Sequence, residues 1–216
     1  MDRLILATET CRLPEPLGLT GFSEMAHGEA IDAVQRAGLW LGPRVVLEET
    51  EGFRQIIPYV VLKVGDKIVH YTRTPSGGES RLHGRVSVGL GGHIDLSDII
   101  RQGEGIDLKA TLDAAAMREV EEELGKLECL GRQWAGVLVD NGSPVSRVHL
   151  GLVALWELAV APASAAEDAI GDVGLSTVDE LLANSDRLEA WSLILLEALQ
   201  RRAQTSDSAL VPSVAA

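Results

Sequence analysis

Three glutamates stand where they could hold a metal ion. Glu119, Glu122 and Glu123 fall in the run Arg118-Glu119-Val120-Glu121-Glu122-Glu123-Leu124-Gly125. Residues three and four apart share one face of a helix, so their carboxylates converge. Each like-charge pair costs about 0.2–0.5 kcal/mol in an isolated helix. That crowding becomes favourable around a hard divalent cation, which prefers oxygen ligands and is drawn by summed negative charge. Arg118 lies four before Glu122 and can orient or balance one carboxylate. A solvated acidic face accounts for these eight residues equally well, so the deciding signal has to come from elsewhere in the chain.

That signal is upstream. Val86-Ser87-Val88-Gly89-Leu90 reads as a strand and runs into Gly91-Gly92-His93-Ile94. Glycines at a strand end let the backbone turn sharply and approach a ligand or metal closely. Arg73, Arg81 and Arg85 flank the loop before this strand. They are candidates for gripping phosphate, although solvated loop arginines are the commoner outcome. His93 is a candidate for facing a substrate or for a hydrogen-bonded structural role. His149, in Val148-His149-Leu150-Gly151, reads as a core or sheet-face histidine. Asp140 and Asn141 are explained by a turn. Trp134, Trp156, Trp191 and Tyr59 sit on periodic segments and read as core.

The elements that position these residues follow from periodicity. Leu112, Ala114, Ala115, Met117, Val120 and Leu124 mark the inner side of an amphipathic helix over 111–124 that closes on Gly125. Residues 56–64 form a strong strand, and Gly65-Asp66 turns it into a hairpin partner over 67–74. Residues 96–109 read as an inserted loop. Residues 127–140 and 146–160 read as two long strands around the turn Asn141-Gly142-Ser143-Pro144. Residues 161–172 read as a linker, and Ser176-Thr177-Val178-Asp179 opens helical segments reaching Arg202. Upstream, Leu4–Ala7 is strand-like, residues 29–37 form a helix ended by Gly38, and most of 1–27 reads as irregular. Strands mixed with helices in this order imply an α/β fold, a mixed sheet with helices on its faces. The expected organisation is an N-terminal extension over 1–54 packed on the core, a main domain over 55–202, and a disordered tail over 203–216.

Composition narrows the partners. A net charge of −13 argues against a nucleic-acid polymer, whose phosphates are bound by Lys/Arg surfaces. A small phosphate-bearing ligand stays open, because a bound cation inverts the local field. Two cysteines, Cys11 and Cys129, are too few for a disulfide framework and lack metal-ligand spacing. No apolar run approaches the roughly 20 residues that span a bilayer. The expectation is a cytoplasmic protein without a membrane partner. The apolar segment over 145–160 is a candidate for strand pairing across a homodimer.

Strand, loop and helix with these parts resemble the Nudix hydrolase family, whose box runs Gly-x5-Glu-x7-Arg-Glu-U-x-Glu-Glu-x-Gly-U, with U a bulky apolar residue. Arg118, Glu119, Val120, Glu122, Glu123 and Gly125 match its second half, and Gly92 matches its opening glycine. Gly92 to Arg118 spans 26 positions against 14 in the pattern, so 12 residues are inserted. Eight before Arg118, where the pattern has its first glutamate, stands Ala110; Asp113 is a nearby acid. Lys126 replaces the last apolar residue. The resemblance implies an α/β/α sandwich over about 55–160, extending towards 200. It implies hydrolysis of a nucleoside diphosphate linked to a moiety X, or of another small diphosphate. It further implies Mg2+ or Mn2+ held by Glu119, Glu122 and Glu123 with the Gly91 carbonyl. Arg118 joins these glutamates as a catalytic candidate, and Arg73, Arg85 and His93 are candidates for substrate contact. Two other readings remain: a nucleotide-binding sensor without hydrolysis, and isomerase chemistry on a prenyl diphosphate, which calls for a cysteine near the metal.

Overall fold

A computed structural model describes residues 3–15, 17–25, 28–76 and 80–209, and the side chains of these except Ser80 and 206–209. The strands are β1 (Leu4–Glu9), β2 (Gly21–Glu24), β3 (Leu39–Pro43), β4 (Phe53–Val64), β5 (Lys67–Arg73), β6 (Val86–Ser87), β7 (Gly89–Leu90), β8 (Arg101–Gln102), β9 (Gly105–Ile106), β10 (Cys129–Val139), β11 (His149–Leu158) and β12 (Ile170–Ser176). The helices are α1 (Glu29–Ala37), α2 (Arg44–Leu47), α3 (Leu108–Leu124), α4 (Pro144–Arg147), α5 (Val178–Leu182) and α6 (Ala190–Ala209).

β4 is apolar almost throughout because both of its faces are covered. Ile56, Val60 and Leu62 belong to one core cluster with Leu112, Ala115, Ala116 and Val120 of α3 and with Ile31 and Val34 of α1. Tyr59 and Val61 belong to another, with Leu195 and Leu196 of α6. Helices on opposite faces make the α/β/α sandwich. The sheet is mixed: β11 runs parallel to β4, whereas β5, β7 and β1 pair with it antiparallel. The path β12-β5-β4-β11-β10-β2 places β11 inside the sheet, between β4 and β10. Both of its hydrogen-bonding edges are therefore used, and the expected pairing of this strand across a dimer is overturned.

Tertiary pairing created several elements that periodicity does not show. Within the irregular-looking 1–27, β2 adds to β10 and β1 extends its pairing along β4 and β3. Seven residues from Ile170, part of them read as linker, form β12 on the edge of β5. Its Gly171, Asp172 and Gly174 carry little β propensity, and a register shift between Gly171 and Gly174 accommodates Asp172 at φ 48°. Between β10 and β11 the expected turn continues into α4. There Pro144 sits at the start and Ser143 caps, its hydroxyl accepting from the Ser146 N–H at 3.0 Å. α6 continues to Ala209, so 203–209 are helical rather than a disordered tail; residues 210–216 lie outside those described.

Candidate active site

α3 carries the acidic face. Its start is fixed by Asp107, whose carboxylate accepts from the Ala110 N–H at 3.0 Å. It ends at Gly125, where φ is 77° and the N–H reaches the Glu121 carbonyl. The extra residues before it close on themselves as the hairpin β8–β9. Two contacts tie the base of this hairpin: the Asp107 N–H donates to the Ile100 carbonyl, and the Ile100 N–H to the Thr111 hydroxyl. The insertion thus leaves the glycine loop and the helix in contact.

Arg118 is the hub of that contact. Its Nε and Nη2 donate to the two carboxylate oxygens of Asp98 at 2.9 and 2.8 Å. Nη1 donates to Glu119 at 2.7 Å and to Glu122 at 3.0 Å. Nη2 also donates to the His93 carbonyl at 3.1 Å, which ties the helix to the loop after Gly92. Burial pushes the Asp98 pKa up, but the Arg118 guanidinium and the Asp95 N–H outweigh it and hold the carboxyl below its usual range. Asp98 is the residue that sequence reasoning missed. Counting back from Arg118 reaches Ala110, whereas counting forward from Gly92 reaches Asp98 at the sixth position, where the box has its first acid. Asp113 does not fill that place, because its carboxylate is taken by Lys109 and by the Trp134 indole N–H.

The three glutamates occupy different environments. Among the described residues, no group of three or more Asp, Glu, His or Cys is already gathered as around a metal ion. Like charges repel, and each carboxylate takes the cation within reach: Arg118 for Glu119 and Glu122, and the field of Arg73 for Glu123. Glu122 is 48% exposed and Glu119 only 12%. Burial raises the Glu119 pKa, with Arg118 opposing. Burial pushes Glu123 up to about 8, and Arg73 offsets only part of that.

Several features suit a divalent ion here. The buried Glu123 Oε2 has no hydrogen-bond partner. A Cβ on Gly92 would lie 2.4 Å from Glu119 Oε1, so only glycine leaves that carboxylate its place. A Cβ on Gly91 would lie 2.0 Å from the Pro58 carbonyl oxygen, so that turn too requires glycine. The donors are hard oxygens, matched to Mg2+ or Mn2+.

Next to Gly91 opens a cavity of about 600 Å³ between the sheet and the start of α6. Arg73 lines it and pairs with Glu189 at 3.2 Å. The Glu189 carboxylate also accepts from the hydroxyls of Ser87 and Tyr59 at 2.6 and 3.2 Å. Glu189 is a second acid for which sequence spacing carries no signal. Asp140, His149, Tyr59 and Trp191 line the cavity as well. Trp191 is thus half wall and half core, whereas Tyr59, 3% exposed, belongs to the core. Arg85 is not among the lining residues and donates to the Asp186 carbonyl. The His93 ring meets the ring of His149, with Nε2 to Nε2 at 3.3 Å. Burial, with Arg44, His149 and Arg3 nearby, lowers its pKa to about 3, so the ring is neutral.

This arrangement is that of a box helix, a glycine loop and an adjoining ligand cavity on an α/β/α sandwich, and comparison with known proteins agrees. Protein YmaB of Bacillus subtilis (strain 168) is 32% identical over 158 residues, covering 71% of this chain and 74% of that protein. The crystal structure of Tm1382, a candidate Nudix hydrolase, superposes with a TM-score of 0.74 at 26% identity, covering 91% of this chain and 97% of Tm1382. DR0079 from Deinococcus radiodurans shares the fold, with a TM-score of 0.50 at 19% identity over 83% of this chain and 98% of its own. No family model matches the chain. The chain belongs to the Nudix hydrolase superfamily and is an enzyme of that type. Among the described residues, no helix is long and apolar enough to cross a membrane.

Proposed function

We propose that the chain is a pyrophosphohydrolase that uses Mg2+ or Mn2+ to cleave the diphosphate linkage of a nucleoside diphosphate-X type substrate. The observation that carries this reading is the Arg118 hub, which locks the acidic helix to the glycine loop through Asp98, Glu119, Glu122 and the His93 carbonyl. Glu119, Glu122 and Glu123, with the Gly91 carbonyl, would hold the ion. When bound, it supplies neutralisation of the diphosphate charge and a lowered pKa for attacking water.

The chain's own groups supply the rest. Arg118 holds Glu119 and Glu122 together through a shared Nη1. Glu123, whose pKa burial raises to about 8, would give up any proton it holds on coordinating the ion. Arg73, at the junction of cavity and helix, adds positive charge where a diphosphate would lie. Free Cys11 and Cys129 suit a reducing compartment such as the cytoplasm. Neither lines the cavity, which speaks against prenyl diphosphate isomerase chemistry. Asp98 in the place of the first box acid removes the main reason to favour a non-hydrolytic sensor.

The test is a panel of nucleotide sugars, dinucleoside polyphosphates and nucleoside triphosphates, each with Mg2+ or Mn2+. Turnover of at least one class is expected, with losses of a hundredfold or more (order of magnitude) in Glu122→Gln and Glu123→Gln. No turnover of any, or no difference between wild type and either variant, refutes the proposal.

A further inference from the structure

The N-terminal extension does more than pack on the core: its first strand runs along the loop that follows the glycine pair. The Leu6 N–H donates to the Ile94 carbonyl at 3.0 Å, and Ile5 bridges to Asp95. Arg3, just before β1, donates from Nε and Nη2 to the two carboxylate oxygens of Asp95. A bidentate pairing of this kind fixes direction as well as charge. Arg3 is itself anchored, because its carbonyl accepts from the Arg44 N–H at 2.9 Å where α2 begins.

Asp95 passes this restraint on. It forms a capping box with Asp98, and its own N–H donates to Asp98 Oδ2 at 2.9 Å. The buried Asp98 carboxylate takes two N–H groups of Arg118, and Arg118 holds Glu119, Glu122 and the His93 carbonyl. One connected series of hydrogen bonds therefore runs from Arg3 to the acidic face of α3. Its setting is close-fitting: a Cβ on Gly92 would lie 2.4 Å from Glu119 Oε1, so the place of the loop limits the place of that carboxylate. Arg3 is half exposed and also feels the charges of Glu119 and Arg118.

We propose that Arg3 is a positioning residue for the metal-dependent reaction: by holding Asp95 it sets the glycine loop, and through Asp98 and Arg118 the box carboxylates, in the geometry that receives the ion. The assignment rests on the pyrophosphohydrolase reading, and two measurements that need no turnover separate their failures.

The first is calorimetric titration of Mn2+ into wild type, Arg3→Ala and Arg3→Lys. Charge and position predict opposite signs. Deleting a cation near carboxylates tightens binding of another cation. Releasing the loop loosens it, and losing a group that orients metal ligands costs about 10- to 100-fold in affinity. Weakening of about tenfold is expected in Arg3→Ala, at the low end because Arg3 acts through Asp95. Arg3→Lys keeps the charge without the fork and should recover only part of the loss. Unchanged or tighter binding in Arg3→Ala overturns the assignment.

The second is amide hydrogen exchange of the metal-free protein. Arg3→Ala should speed exchange over residues 92–98 and leave β10 and β11 as in wild type. Unchanged exchange in the loop overturns the positioning role whether or not the chain hydrolyses anything. Faster exchange everywhere also overturns it, because Arg3 would then serve global stability alone. A wild type without affinity for Mn2+ refutes the metal-dependent reading itself, and with it the role of Arg3 in the reaction.

Discussion

Removing the Asp98 carboxylate tests the hub directly. In Asp98→Ala, Arg118 loses two hydrogen bonds of 2.9 and 2.8 Å, and the Asp95 N–H loses its acceptor at 2.9 Å. Breaking a buried ion pair by deleting one partner costs about 3–5 kcal/mol. Arg118 is a quarter exposed and keeps Glu119, Glu122 and the His93 carbonyl, so we expect about 2–3 kcal/mol. For a domain of this size that lowers the midpoint of thermal unfolding by about 4–12 °C. Asp98→Asn keeps the shape and one acceptor, and should lose less. Asp98→Glu keeps the charge and should recover most of the loss. Urea unfolding of Asp98→Ala, Arg118→Met and the double variant isolates the coupling, expected at about 2 kcal/mol. Turnover should fall further than stability alone requires, because Glu119 is aimed by the same guanidinium. An Asp98→Ala protein within about 0.5 kcal/mol of wild type and fully active would falsify the hub argument.

Three further outcomes follow from the geometry. Glu123 is raised from an ordinary 4.5 to about 8, so the folded state keeps a proton that the unfolded state loses above 4.5. Metal-free stability should therefore decline from about pH 4.5 to about pH 8, with a ceiling of roughly 5 kcal/mol, and Glu123→Gln should flatten the decline in urea unfolding at pH 5, 7 and 9. Parallel slopes in the two proteins would count against a buried protonated Glu123. Gly92→Ala should cost under about 1 kcal/mol of stability, since the Glu119 carboxylate can swing away, yet weaken Mn2+ binding about tenfold by calorimetry. Unchanged affinity would separate Gly92 from the metal site. Glu189→Ala strips Arg73 of its partner and two hydroxyls of their acceptor, and should cost about 3–5 kcal/mol by denaturant titration. A loss below about 1 kcal/mol would show that water replaces Glu189 there.

The legible parts of the chain were those governed by local rules. α1 runs from Glu29 to Ala37 and stops at Gly38, as the helical spacing of Ile31 and Val34 with a terminal glycine requires. The hairpin β4–β5 turns at Gly65-Asp66. The illegible parts were those whose partners lie far away in the chain. β12 has almost no strand pattern and exists because β5 offers it an edge. β2 is likewise set by β10, more than a hundred residues further on. Glu189 gave no signal because its donors, Ser87, Tyr59 and Arg73, belong to strands about a hundred residues or more before it in the chain.

By itself the sequence determined that Glu119, Glu122 and Glu123 share a helix face, because helical periodicity is a property of the local backbone. It also determined that a glycine pair ends the strand before that helix. Tertiary structure decided how the two meet: Arg118 grips Asp98 across the folded hairpin, and this pairing decides between counting forward from Gly92, which reaches Asp98, and counting back from Arg118, which reaches Ala110. It decided that burial, not spacing, sets Glu123 apart from its neighbours. Finally, it kept Tyr59 in the core and placed the half-buried Trp191 at a cavity wall, since whether an aromatic ring faces core or cavity depends on the packing of β4 against α6 and not on either segment alone.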